Sequence, residues 1–285
     1  MKKLKKTLRG PISWGAFILL CLFILCAIFA PFISPKDPEK QDLLNRYAPP
    51  FWIEESSFGA EGSTQHILGT DDLGRDVLSR LIYGSRTSIS VGVLAALLAG
   101  GIGITIGLIS GYFPKLDGII MRIADIQLAF PQILLSLSIV AIFGGGFTKL
   151  IIVLGITGWV SYARVIRSEV LSMRSSDYII AAQTVGVSQM RILWRHVLPN
   201  IIARAVTIGT NQMATAIITE SSLSFLGLGI SPNVPTWGNM LQTGQMYVDS
   251  AWWLSVFPGL CIMLTVLSIN LLGDALKDSI VPKAR

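Results

Sequence analysis

The sequence predicts an all-α membrane protein of six transmembrane helices, and three observations carry the prediction. Of 285 residues, 52% are hydrophobic and only 14% charged, with a mean hydropathy of +0.61. Six apolar stretches, at 12–33, 88–112, 124–144, 149–165, 201–220 and 253–273, each approach the roughly 20 residues a helix needs to cross a hydrocarbon core about 30 Å thick. Lys and Arg are divided unevenly among the intervening loops. This composition lies outside that of an ordinary soluble domain, and six crossings leave no room for a large one beside them.

Residues 1–11 form a basic tract with Lys2, Lys3, Lys5, Lys6 and Arg9, followed by an apolar run from Ile12 to Ala30. A secretory signal has a similar basic start, but its apolar region is about 7–15 residues and ends at small residues. Here the run is longer and ends Phe29-Ala30-Pro31-Phe32, so 12–33 reads as a retained first span. The interval 34–87, rich in Pro35, Asp37, Pro38, Glu39, Asp42, Pro49 and Pro50, reads as an irregular, water-facing loop.

The second span carries Gly103, Gly107 and Gly111 at four-residue spacing. Such a stripe lets a neighbouring helix approach closely, and it could also serve as a hinge. Full charges are nearly absent from the span interiors, Asp125 and Glu220 lying near span ends. An ion-coupled carrier keeps ionisable groups near the midplane, and an intramembrane protease needs a polar catalytic pair; the spans suggest neither. Cys21, Cys26 and Cys261 sit in apolar runs and read as small hydrophobes. His66 and His196, the only histidines, fall on opposite sides. Trp14 and the pair Trp252-Trp253 fit an interfacial aromatic belt.

The net charge of +6 is not gathered into a basic stripe with interleaved aromatics, so nucleic acid is not an expected partner. It sorts by loop instead. With the N-terminus inside, only Lys36, Lys40, Arg46, Arg75, Arg80, Arg86 and Lys149 of the 23 basic residues fall outside. Six spans then place both termini, including the tail 274–285, in the cytoplasm.

The cytoplasmic loop 166–200 is too long for a simple connection and reads as two short helices. Asp177 is a suitable N-cap for a helix through Thr184, with Gly186 as its stop; Ser188 can cap a second, Gln189 to His196, before Pro199 breaks the chain. Ala181, Ala182 and Val185 offer small side chains, Tyr178 and Ile179 apolar anchors. Such a helix packs either on its own spans or on a partner.

The run Tyr178-Ile179-Ile180-Ala181-Ala182, then Gly186, then Leu198-Pro199 resembles the "EAA" loop of ABC-importer permeases. Leu68 to Ser88, Glu220 to Gly229 and Pro235 to Gly238 are similar to the dipeptide/oligopeptide branch, closest to its C-type subunit. The resemblance implies a type I ABC importer permease fold in the bacterial inner membrane. It makes Tyr178, Ile180, Ala181, Ala182, Gly186, Leu198 and Pro199 the residues that couple the chain to an ATPase. Two positions depart from the pattern: Ile180 stands where a Glu is expected and His196 where an apolar residue is expected. With Asp177 as N-cap, a Glu at 180 could close a capping box, which Ile180 cannot.

The implied partners are a homologous permease, two ATP-binding cassette ATPases, an extracytoplasmic substrate-binding protein and membrane lipid. The sequence has no G-x-x-x-x-G-K-[ST] loop, so ATP is expected on the separate subunits; no catalytic residue, cofactor or metal is expected in this chain. The cluster Asp71, Asp72, Arg75, Asp76 and Arg80 offers hard oxygen ligands, but the arginines can neutralise it along a short amphipathic helix, as a brace or a binding-protein surface. The expected cargo is di- and oligopeptides. Nickel or other metal chelates and glutathione are the alternatives within the class, and a secondary carrier the distant one.

Overall fold

The computed structural model describes residues 10–280; the basic residues at Lys2 to Arg9 and at Lys283 and Arg285 lie outside the described residues. Helix α1 (Pro11–Ile33) opens on a proline, whose missing N–H is no loss in a first turn. It buries only Ala16, Ala27 and Ala30, while Ile18, Leu22, Leu25 and Phe32 point outward. A surface of that kind suits hydrocarbon rather than water.

Helix α2 (Val77–Tyr112) has 36 residues, about 54 Å at 1.5 Å per residue, and begins at Val77 rather than at 88. Its start is fixed by Asp76, whose Oδ2 accepts from Ser79 N–H at 2.8 Å and from Ser79 Oγ at 2.7 Å. The first turns carry Ser79, Arg80, Ser85 and Ser88, all buried against neighbours, so their polarity conceals a helix that hydropathy alone cannot find.

The expected third span, 124–144, is broken. Helices α3 (Pro114–Leu128) and α4 (Gln132–Phe143) meet at 86°, because Pro131 disfavours helical geometry in the residue before it and removes one backbone donor. Gln127 repairs the corner by donating from Nε2 to Thr157 O at 2.7 Å and accepting from Trp159 Nε1 at 2.9 Å. Helix α5 (Phe147–Arg174) follows, then the short α6 (Asp177–Thr184) and α7 (Gln189–Ile192). A π turn, Leu193–Val197, joins α7 to α8 (Leu198–Phe225). Helices α9 (Trp237–Gly244) and α10 (Trp253–Ile280) complete the described chain.

Helices α1, α2, α5, the α7–α8 composite and α10 are each long and apolar enough to cross a membrane, and the bent α3–α4 pair makes six if counted as one span. Pro199 does not break the chain as expected. The Leu198 N–H bonds to Leu193 O, five residues back, and this wider turn makes room for the proline ring that a regular α turn would exclude.

Helix α2 is central, packing most extensively on α5 and also on α8 and α1. A Cβ on Gly103 would lie 2.4 Å from Trp159 O, on Gly107 2.7 Å from Ala163 O, and on Gly111 2.9 Å from Arg167 O. The four-residue glycine spacing therefore serves close α2–α5 packing. Two apolar clusters lie at opposite ends of α2: one around Val77, Leu81, Trp237 and Trp253, the other around Leu108, Tyr112, Ile166 and Ile179.

Residues 34–76 contain only one short helical turn, Leu43–Asn45, and their charges are not the expected amphipathic helix. Thr70 and Asp76 pair across a turn in which Asp71 Oδ2 accepts from Arg75 Nε at 2.7 Å and lies 3.5 Å from Arg80 Nε. One carboxylate thus sits between two guanidiniums, all three groups buried, as a brace between the loop and α2. His66 Nδ1 lies 3.0 Å from Asp76 Oδ1 and Lys36 Nζ 3.0 Å from His66 Nε2. Since a carboxylate only accepts and an ammonium only donates, the imidazole carries its proton on Nδ1. Trp253 departs from the belt reading: it is 2% exposed and donates from Nε1 to Thr70 O at 3.2 Å.

Burial pushes the Asp76 carboxyl up, but hydrogen bonds from His66 and Ser79 outweigh it and hold the group below its ordinary value of 3.8. Asp76→Ala should therefore destabilise the purified chain by about 1–2 kcal/mol at neutral pH. The folded value is depressed, so this contribution is complete above about 3.8 and is lost as pH falls through the lower folded value. Thermal melts of the variant and the parent, separated at pH 7, should converge in that acid range; a constant separation would show that the carboxylate charge is not what holds the turn.

Candidate functional site

The cap of α6 lies one residue earlier than expected, at Ser176 rather than Asp177. Ile179 and Ile180 N–H both donate to Ser176 O at 3.1 Å, and Asp177 occupies the first helical position. Position 180 is then the fourth, outside the reach of a capping box. The helix ends in a Schellman arrangement: Gly186 N–H donates to Gln183 O at 3.0 Å and Val187 N–H to Ala182 O at 3.1 Å. Gly186 has φ +80°, the left-handed region that a side chain makes costly.

The helix is fastened to the bundle by its inner face. Ile179 is fully buried among Leu108, Tyr112, Ile166 and Val170, Ala182 is half-buried against the same cluster, and Gln183 Nε2 donates to Tyr112 Oη at 3.3 Å. Ile179 is thus an anchor to the chain's own spans and not a contact for a partner, and Ala182 faces largely inward. Tyr178, Ala181 and Val185, at helical spacing of three and four residues, remain outward with Ile180 beside them. Val185 is 84% exposed and Tyr178 and Ile180 48% each.

Leu198 and Pro199 belong to a different surface. Leu198 packs into the cluster beneath α6, while Pro199 is exposed at the start of α8. Met190 and Trp194, which sequence reasoning did not single out, add two outward apolar side chains beyond Gly186; their offset of four residues was the available signal. Around them, Arg167 pairs with Asp117 through two nitrogens, with Ser110 Oγ donating to the same carboxylate at 2.7 Å. Arg164 pairs with Asp125, and the two ion pairs tie α3 to α5.

A second feature lies between α5, α8 and α10: a cavity of about 650 Å³, lined among others by Ser161, Thr207, Asn211, Asn270, Asp274 and Lys277. Arg204, at the same cavity, has Nε 3.2 Å from Glu169 Oε1. Glu220, expected near a span end, is fully buried: Ser224 Oγ donates to Oε1 at 2.9 Å and Ser88 Oγ to Oε2 at 3.3 Å. This knot ties α8 to α2. Among the described residues no group of three His, Cys, Asp or Glu is arranged to hold a metal ion.

Residues 103–285 match the family described as binding-protein-dependent transport system inner membrane component. Residues 4–50 match the N-terminal transmembrane domain of oligopeptide transport permease C. The chain is 39% identical to the di/tripeptide transport system permease protein DppC of Pseudomonas aeruginosa, over 95% of this chain and 88% of that one. It is 39% identical to the dipeptide transport system permease protein DppC of Alkalihalophilus pseudofirmus, over 100% and 89%. The glutathione transport system permease protein GsiD of Pectobacterium atrosepticum is 36% identical, over 99% and 90%.

Proposed function

Because the chain belongs to the family of binding-protein-dependent transport system inner membrane components, we propose that it is a permease subunit of an ATP-driven importer whose cargo is di- and oligopeptides. It is a multi-pass inner-membrane protein with the type I permease fold, and no chemistry is assigned to it. The peptide cargo is supported by the two DppC relatives, which cover nearly the whole chain. Glutathione, the cargo named for GsiD, is itself a small peptide; metal chelates have no support among these relatives.

The observation that carries the coupling role is the two-faced geometry of α6. Its inner face is locked by Ile179 and Gln183, and its outer face offers Tyr178, Ala181 and Val185. An apolar patch on a helix end, held rigidly and left uncovered, fits a cleft in another protein. Each large side chain buried there contributes about 1.5–3 kcal/mol. We assign that cleft to a cytoplasmic ATPase, present twice, with a homologous permease completing the passage and an extracytoplasmic binding protein delivering cargo. The basic residues Arg174, Arg191 and Arg195 beside α6 and α7 support a cytoplasmic position for this end, hence cytoplasmic termini. Nucleotide binding would then supply the differential energy that moves the spans.

Deleting the gene in its native host and restoring it on a plasmid tests this reading. Uptake of a labelled dipeptide should fall at least tenfold on deletion and return on restoration, with unlabelled glutathione as competitor to rank the cargoes. Undiminished uptake by the deletion strain of every dipeptide and of glutathione would refute the peptide assignment.

A further inference from the structure

The α7–α8 composite has the lowest mean hydropathy of the five unbroken candidate spans, and one face of α8 carries a polar stripe that the neighbouring helices do not bury. Arg204, Thr207, Asn211, Thr215 and Ser222 recur at intervals of three, four, four and seven residues, all at least partly exposed. Thr207, Thr215 and Ser222 each donate their hydroxyl proton to a carbonyl four residues earlier, at 3.3, 3.0 and 2.8 Å, which leaves oxygen lone pairs turned outward. The side-chain amides of Asn211 and Asn270 make no hydrogen bond within the described residues, and both border the cavity of about 650 Å³. Hydrocarbon tolerates unpaired amides poorly, so a span bearing this stripe faces water or protein there.

We infer that this face of α8, with Asn211 and Asn270 as its substrate-contacting amides, lines the passage for the solute, an inference that rests on the permease reading above. The chemistry fits a short zwitterionic chain of amides. Neutral donors and acceptors can exchange hydrogen bonds with successive peptide groups without regard to side chain. A buried charge would instead form an ion pair with one terminus, strong at low dielectric, and hold the solute in place. The charges that do reach the cavity, Arg204, Asp274 and Lys277, come from the start of α8 and the end of α10, beyond the two amides, and Arg204 is already paired with Glu169. A volume of this size lies within the range of small-solute sites.

Cysteine accessibility in native-host membranes tests the inference, using the unaltered chain as blank for Cys21, Cys26 and Cys261. Thr215→Cys and Ser222→Cys, which leave both amides in place, are treated with a small water-borne thiosulfonate reagent, with Leu22→Cys on the outward face of α1 as the hydrocarbon control. Modification of either stripe variant should reduce dipeptide uptake at least tenfold and be slowed severalfold by saturating dipeptide, while Leu22→Cys stays unmodified. Stripe variants that take up dipeptide normally yet remain unreactive, or react without losing uptake, would overturn the lining assignment and leave the permease reading standing. Absence of dipeptide uptake by the unaltered chain under the same conditions would instead defeat the permease reading, and this inference with it.

Discussion

Gly103→Val should abolish accumulation of folded chain, whereas Gly101→Val, two residues away, should leave it at the parent level. A Cβ on Gly103 would meet Trp159 O at 2.4 Å and Tyr162 Cβ at 2.5 Å, while one on Gly101 meets nothing within 4 Å. The first obstacle is backbone, which no rotamer change can clear, so α2 and α5 must separate along the largest contact in the bundle. Overpacking of a rigid contact costs about 3 kcal/mol or more, a large share of what holds a domain together. Fluorescence-detected size exclusion of the tagged chain from membranes reads the outcome. Equal monodisperse peaks for the two variants would mean that α2 and α5 are not in contact as described.

Gly186→Val should leave accumulation unchanged and reduce dipeptide uptake at least tenfold. Space is not the issue, because a Cβ there meets nothing within 4 Å; the backbone is, at φ +80°. A residue other than glycine pays about 1–2 kcal/mol in this region, and β-branching adds to it. The hydrogen bonds that close α6 from Gly186 and Val187 would open, and α6 would swing relative to α7. No transmembrane contact changes, so the chain still inserts. Since about 1.4 kcal/mol is tenfold in an equilibrium, the docking-competent geometry becomes a minority state. Gly186→Asn, which tolerates the left-handed region, should fall between. Full uptake by Gly186→Val at matched chain levels would remove the turn from the coupling mechanism.

The long apolar runs were legible because hydrocarbon demands length and little else, and the glycine stripe because its four-residue period is visible in any register. What escaped depended on neighbours. Val77 to Thr87 looked like loop because Ser79 and Arg80 find buried partners only once the segment 34–76 folds over them. Pro131 was in plain view inside 124–144, yet an apolar window cannot distinguish a straight span from two halves. Tyr178 and Ile179 read alike as anchors, although adjacent helical positions differ by about 100° and only Ile179 points into the cluster beneath the helix. The stripe Thr207, Asn211 and Thr215 was present at i, i+4 and i+8, but its meaning requires the third wall supplied by α10.

The π turn at Leu193–Val197 also sets rotational phase. A turn of this kind holds one residue more than an α turn, and one residue is about 100° of rotation. Shortening it by a single residue would leave α7 on its cluster but spin all of α8 about its axis, carrying Asn211 away from the cavity and Glu220 away from Ser88. The chain therefore stores, in one widened turn, the angular offset between the surface that meets a neighbour at one end and the surface that meets solute along the span. The two can be altered independently in sequence only while the number of residues between them stays fixed.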